Sequence, residues 1–389
     1  MEGRAAELRA RCGGIVLVGI FGAGRNGSTL LMRLLDGSPG LWIYPIELNY
    51  LRTFASGSMK NRLKQWMSAG AGLADSGRAK LEEHRLATFH AWASEQLVEL
   101  KQTYLDKLVE PAAVNVNPSQ FIKDHVRGTL TDNLESFMEA TWSIYDDRML
   151  PAKPQFMFKS IEVADLPRYQ RLFPDMKFVH IVRHPYSNYT SLKRTDMVQK
   201  QKPFWYQGGD ILRLQLEARW IPHVRFALEG MQQDPARHHL VRYEDLCESA
   251  DKTVAGICDW LGAGPPKEPA CQTVLGGKHL KSLPSNSSLK GVETPAHVVA
   301  DMAKAYGYDD ILTERERELI LLRTYALGCR LGYFDAQGAA CLPNRLRLFS
   351  RWMPPDEWEY RNAGSRVRLV RALIERRLYL CRTLLLSGS

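Results

Sequence analysis

The stretch that most limits what this chain can become runs from Ile15 to Leu35. Ile15-Val16-Leu17-Val18-Gly19-Ile20-Phe21 is apolar and partly β-branched, the composition of a strand buried on both faces of a parallel sheet. A glycine-rich turn, Gly22-Ala23-Gly24-Arg25-Asn26-Gly27, comes next. Leu30, Leu31, Leu34 and Leu35 then recur at helical spacing up to Gly37, a residue suited to end a helix. Strand, turn and helix in that order make an anion cradle. The glycines let backbone N–H groups converge, and the helix N-terminus adds its partial positive charge.

The turn departs from a nucleotide-triphosphatase loop in one informative respect. Gly22 and Gly27 supply the two glycines of G-x-x-x-x-G-K-[ST], but Ser28 stands in the lysine position, with Thr29 after it. The cation lies upstream, at Arg25. ATP and GTP enzymes rely on that lysine at the β- and γ-phosphates and on Mg²⁺ held by a further acid. The loop therefore points to a different phosphate-bearing ligand, used without a metal.

A chain of 389 residues is long enough for a large core and for two or three domains. With 45% hydrophobic and 24% charged residues it has the composition of an ordinary globular protein. The net charge of +9 favours anionic ligands or surfaces without naming one; no nucleic-acid partner is expected. No apolar run is long enough to span a membrane, and the first residues, Met1 to Glu7, lack the apolar region of a signal peptide. The seven cysteines are scattered without a C-x-x-C, which argues against a zinc site and a disulfide framework. These features lead us to expect a cytoplasmic protein.

Further strands are expected at Leu41–Tyr44, Gln155–Ile161, Lys177–Arg183 and His239–Tyr243, alternating with helices. That alternation predicts an α/β fold, a P-loop-like doubly wound parallel sheet that binds ligands at the carboxyl ends of its strands. After the second strand, Pro45 to Tyr50 is expected to turn into a helix. Residues 58–150 read as a helical insertion capping the ligand edge, with helices at Leu81–Leu108 and Asp132–Tyr145 and a break at Gly77 among others. An α/β domain is expected over 1–340 and a basic helical extension over 341–389. In that tail Val367, Val370, Ile374, Leu378 and Cys381 share one helical face among arginines 361, 366, 368, 371, 376, 377 and 382. A helix of this kind either lies at an acidic membrane surface, a peripheral contact, or packs on its own domain. His184, His238 and His239 read as loop residues.

Three segments in order, Arg25-Asn26-Gly27-Ser28-Thr29, Phe178-Val179-His180-Ile181-Val182-Arg183-His184-Pro185 with Ser191, and Val241-Arg242-Tyr243-Glu244-Asp245-Leu246, resemble the sulfotransferases. The likeness covers roughly 14–262, hardly touches the insertion or the tail, and is nearest in motif style to the tyrosylprotein and carbohydrate enzymes. It implies transfer of a sulfuryl group from 3'-phosphoadenosine 5'-phosphosulfate (PAPS) to an acceptor hydroxyl, with 3'-phosphoadenosine 5'-phosphate (PAP) as product and no metal.

The resemblance also assigns residues. Arg25, Asn26, Gly27, Ser28 and Thr29 would grip the 5'-phosphosulfate. Arg183, with Ser191 eight residues on, would clamp the 3'-phosphate, and Tyr243 would contact the adenine. Cytosolic relatives carry a lysine and a histidine two residues apart on the strand before that clamp; here the strand gives Lys159, Ser160 and Ile161, without the histidine. Glu47 follows Arg25 at the separation of the glutamate base of the tyrosylprotein and carbohydrate enzymes, offset by one residue. Glu47 is thus the expected base, and Lys159 and Arg25 the expected cations at the leaving oxygen. His125 is the weaker alternative base, and a loop within Ser282–Ser288 would close over the donor. The acceptor expected is a carbohydrate or glycolipid, with a small alcohol, a phenol or a protein tyrosine left open. A P-loop kinase and a non-catalytic nucleotide-binding module are the competing readings.

Overall fold

Val16–Phe21 forms β1, and its run of apolar residues is buried because it becomes the central strand. The computed structural model describes residues 16–48, 50–51, 75–109, 120, 130–145, 155–194, 205–206, 209–269, 271–280, 312–335, 342–343, 350 and 366–381. His125 and the Ser282–Ser288 loop lie outside them. After β1 come α1 (Ser28–Leu35) and β2 (Leu41–Glu47). The insertion contributes α2 (Asp75–Thr103) and α3 (Leu130–Tyr145). Then follow β3 (Gln155–Ser160), α4 (Leu166–Leu172), β4 (Lys177–Val182) and α5 (Pro185–Leu192). A short α6 (Ile211–Gln215) continues through a π turn, Leu216–Trp220, into α7 (Ile221–Gln233). Last come β5 (His238–Arg242), α8 (Tyr243–Glu248), α9 (Ala250–Leu261), α10 (Glu314–Arg330) and α11 (Arg366–Leu380).

The five strands are parallel, in the order β2-β3-β1-β4-β5. The expected α/β doubly wound sheet is what forms. The chain leaves β1 toward β2 and β3 on one side and returns to β4 and β5 on the other. The end of β1 is therefore the switch point, where such sheets hold their ligands. Lys159 at the end of β3 and Arg183 just past β4 flank it because their strands are the two neighbours of β1.

Several sequence expectations are corrected. β2 runs through Pro45 to Glu47, so Glu47 ends a strand and does not sit in a turn leading into a helix. Pro45 is tolerated because β2 is an edge strand, and the register shifts between Ile43 and Glu47. Gly77 lies inside α2. The described insertion helices pack on one face of the sheet, and the end of α2 brings Glu99 to the Glu47–Lys159 end of the strands. Trp92 and Phe137 pack against each other at 4.9 Å with tilted rings, and Phe137 meets Tyr44 of β2 at 5.3 Å. These aromatics bury the insertion's apolar face against β2. On the other face, α1 and α9 close a second core around Leu31, Leu34, Val254 and Ile257. The tail helix joins a third core with Ala23, Val182, Trp220 and Ile320 through Leu380, so it is docked on the α/β domain. Among the described residues no helix is long and apolar enough to cross a membrane.

His238 and His239 open β5, and His184 caps α5 by accepting the Tyr186 N–H. His184 thus lies in the connection between β4 and α5 as expected; His238 and His239 depart from the loop expectation because neutral imidazoles pack like aromatics. His180 bridges His223 (3.3 Å) and His238 (3.0 Å), all three buried, with His238 stacked on Phe178 at 4.8 Å. Burial holds all three below the usual imidazole range, His223 at about 4. A depressed folded value means that stability is complete above the unfolded value, about 6.5, and is lost as pH falls toward 4. By about pH 5, protonating His223 in the unfolded chain alone removes roughly 2 kcal/mol. The urea midpoint should therefore hold from neutral pH to about 6.5 and drop steeply below it. A midpoint unchanged at pH 5 would show that the three rings carry no such linkage.

Candidate functional site

The turn between β1 and α1 is shaped by glycines and by buried amides. Gly27 has φ +94°, and a Cβ there would run into the Tyr243 ring. Both conditions demand glycine. Arg25 also adopts a left-handed conformation, φ +74°, uncommon for a residue of its size. Asn26 is fully buried: its amide donates to the Ile181 carbonyl (2.9 Å) and accepts from Asn188 (2.7 Å), while its N–H bonds to the Ala23 carbonyl. It holds the turn's shape. Asn188 and Gln215 both donate to the Gly24 carbonyl at 2.9 Å and bond each other at 2.7 Å. No side chain caps α1, so its first N–H groups face the crevice with the helix's positive end.

On the β3 side, Glu47 and Lys159 are register partners. The Lys159 ammonium lies 3.4 Å from the Glu47 carboxylate and donates to the Thr29 hydroxyl at 2.9 Å. Burial pushes the Lys159 ammonium down, and Glu47 works against that shift. A buried cation is retained here because a carboxylate and a hydroxyl meet it.

Two further groups, absent from the sequence reading, belong to this side. Glu99, near the end of α2, has its carboxyl raised by partial desolvation and then by the Glu47 charge, with Lys159 opposing. Arg33, one turn along α1 from Thr29, is buried; it donates to the Gln272 side-chain Oε1 (3.3 Å) and the Tyr104 hydroxyl (3.2 Å), and its charge bears on Lys159. Two cations and two carboxylates thus gather at the end of β3. The helical spacing of Thr29 and Arg33 is the one sequence signal that could have found Arg33.

On the β4 side, Arg183 is buried. Its Nη1 donates to the Arg25 carbonyl at 3.4 Å, and its guanidinium stacks 4.2 Å from the centre of the Tyr243 ring. Nε and Nη2, which form the bidentate edge of the fork, have no hydrogen-bond partner among the described residues. Arg25 Nε donates to the Ser191 hydroxyl at 3.2 Å. The structure therefore sorts the expected residues into two groups with the loop between them: Glu47, Lys159 and Thr29 on one side, Arg25, Arg183, Ser191 and Tyr243 on the other. Arg25, expected beside Lys159, has its side chain in the second group. Tyr243 is buried between Gly27 and Arg183, and it positions Arg183. Trp220, from the π turn, donates to the Arg183 carbonyl at 2.9 Å and fixes that residue's backbone. Burial and the neighbouring arginines 242 and 183 hold His184 at about 4, so it remains neutral beside the fork.

Chemically, this is a carboxylate able to take a proton, a buried ammonium next to it, an uncapped helix end, and an open guanidinium fork across the loop. Similar solved structures include the sulfotransferase domain from the Synechococcus PCC 7002 olefin synthase (21% identity, TM-score 0.47, covering 84% of this chain and 98% of that one). The sulfotransferase domain from the curacin biosynthetic pathway (18%, 0.44, 82% and 99%) is another. Sulfotransferase STF9 from Mycobacterium avium (13%, 0.35, 68% and 68%) is a third. No curated protein sequence matches the chain significantly. The model of the sulfotransferase family matches residues 18–264, a span that takes in the loop, Glu47, Lys159, the Arg183 fork and Tyr243, and the chain belongs to that family.

Proposed function

We propose that this sulfotransferase takes its sulfuryl group from PAPS, releases PAP, and uses Glu47 as the base that deprotonates an acceptor hydroxyl. The observation that carries the donor assignment is the Arg183 fork, two buried N–H groups without partners among the described residues. A buried guanidinium edge of this kind fits a dianionic phosphate that does not belong to the transferring end of the donor. The uncapped N-terminus of α1, with Ser28 and Thr29, fits the 5'-phosphosulfate. Arg25, reaching from the loop toward Ser191, would span the two phosphate positions.

In this reading Glu47 accepts the hydroxyl proton as the oxygen attacks sulfur, help worth about 10²–10⁴ in rate. Lys159 and the α1 N–H groups meet the charge that grows on the departing phosphate oxygen, about 3–4 kcal/mol for each well-placed donor. Fixed cations serve this function because a sulfuryl group carries less negative charge than a phosphoryl group. Arg25 takes part by holding the donor in line. The chain's +9 charge supports an acceptor presented on an anionic or strongly hydrated molecule, a carbohydrate or glycolipid.

Two measurements test this reading. Calorimetric titration should give tight binding for PAP and binding weaker by at least tenfold for adenosine 5'-phosphate, which lacks the 3'-phosphate. Incubation with sulfur-labelled PAPS and fractionated extract should place label on the carbohydrate or glycolipid fraction. Equal affinity for the two nucleotides would remove the 3'-phosphate assignment. Label on protein or on small phenols would replace the acceptor class.

A further inference from the structure

We propose that the outward face of α11 is a docking surface for an anionic phospholipid bilayer. The inference stands apart from the donor assignment. The helix has two apolar stripes. One, Leu369, Leu373 and Leu380, faces the domain, with Leu369 and Leu380 buried. Docking is pinned by Tyr379, which donates to Glu217 at 2.9 Å, and by Glu375, which pairs with Arg213 of α6. The other stripe is turned to solvent. Val367, Val370, Ile374 and Leu378 are 79%, 55%, 53% and 67% exposed, and they form one line about 16 Å long at 1.5 Å per residue. Among the described residues six stand out as large exposed hydrophobics, and four of them are in this line, which makes it a patch and not scattered surface.

The charge pattern selects the occupant. Arg366, Arg371 and Arg377 are exposed along the flanks of the stripe. The helix's one acid, Glu375, is held at 3.1 Å by Arg371 and faces Arg213. An aliphatic line bordered by arginines matches the interface of an acidic bilayer, with acyl chains for the stripe and headgroup phosphates for the guanidiniums. A second copy of the chain fits poorly. An antiparallel two-fold pairing of α11 would set Arg366 of one copy against Arg377 of the other in a chain of net charge +9.

Co-flotation of the full chain with vesicles of phosphatidylcholine, alone or mixed with phosphatidylserine, tests the proposal. Binding should be roughly tenfold or more stronger with phosphatidylserine and should fall at high salt. Replacing the stripe (Val367→Ser, Ile374→Ser, Leu378→Ser) should lower binding to the mixed vesicles about tenfold or more, with sulfuryl transfer to a soluble acceptor and the melting temperature unchanged. Arg366→Glu with Arg377→Glu should abolish the preference for phosphatidylserine. Absence of vesicle binding would overturn the proposal, as would equal binding by the serine variant. So would a concentration-dependent dimer that the serine variant dissolves, which would assign the face to a second copy.

Discussion

Glu47→Gln should reduce sulfuryl transfer by about 10²–10⁴ while leaving PAP affinity within a few-fold of the parent protein. The asymmetry follows from where Glu47 sits. It ends β2, the edge strand, beyond the reach of the Arg183 group and beside Lys159 at 3.4 Å. Glutamine keeps the shape and can still accept a hydrogen bond from the lysine, so the strand end should hold. What disappears is a site for the acceptor's proton and the negative charge that supports a buried cation. Glu99 makes the experiment sharper. Its carboxyl senses both Glu47 and Lys159, and its protonated form is favoured by partial desolvation and by the Glu47 charge. Glu99→Gln should therefore leave most turnover intact. If Glu47→Gln retains full activity and Glu99→Gln loses it, the base sits on the insertion helix and the reading of β2 is wrong.

The sequence made the principal charged residues of this site readable and left its supporting contacts dark, for reasons of distance along the chain. Arg25 through Thr29, Lys159 and Arg183 each lie on or just past a strand whose apolar run marks it, and Ser191 lies in the helix that follows one, so chemistry and position come from the same few residues. The fold was readable on the same ground, since strands alternating with helices admit few arrangements. Asn188, Gln215 and Trp220 were not legible. Their roles are contacts to Gly24, Asn26 and Arg183, formed only once β4, α5 and the π turn pack around the loop.

Glu99 was hidden because the insertion's pattern says that α2 is a helix without saying which face of the sheet it covers. The tail shows a similar limit. Period alone finds the line Val367, Val370, Ile374 and Leu378, but α11 carries a second apolar line through Leu369, Leu373 and Leu380, and that second line is the one that docks. The side chains that fix the choice, Glu217 and Trp220, are far away in sequence.

Arg183→Ala should weaken PAP binding by about a hundredfold, the loss expected when one partner of a buried, charge-assisted bidentate pair is removed. Binding of adenosine 5'-phosphate should change only a few-fold. The difference between the two nucleotides is the informative quantity, because a general collapse of the site would weaken both. Collapse is the main alternative, since Arg183 Nη1 holds the Arg25 carbonyl and its guanidinium covers the Tyr243 ring. Arg183→Lys separates the effects further. A lysine keeps the charge and much of the packing but cannot offer two parallel N–H groups, so it should recover only part of the lost affinity. Tyr243→Phe retains the stacking surface and should be nearly silent, whereas Tyr243→Ala should free the guanidinium to wander and reproduce a portion of the Arg183→Ala loss. Were Arg183→Ala to lower both affinities equally, the open fork over the Tyr243 ring would have to serve the loop's shape and not a phosphate.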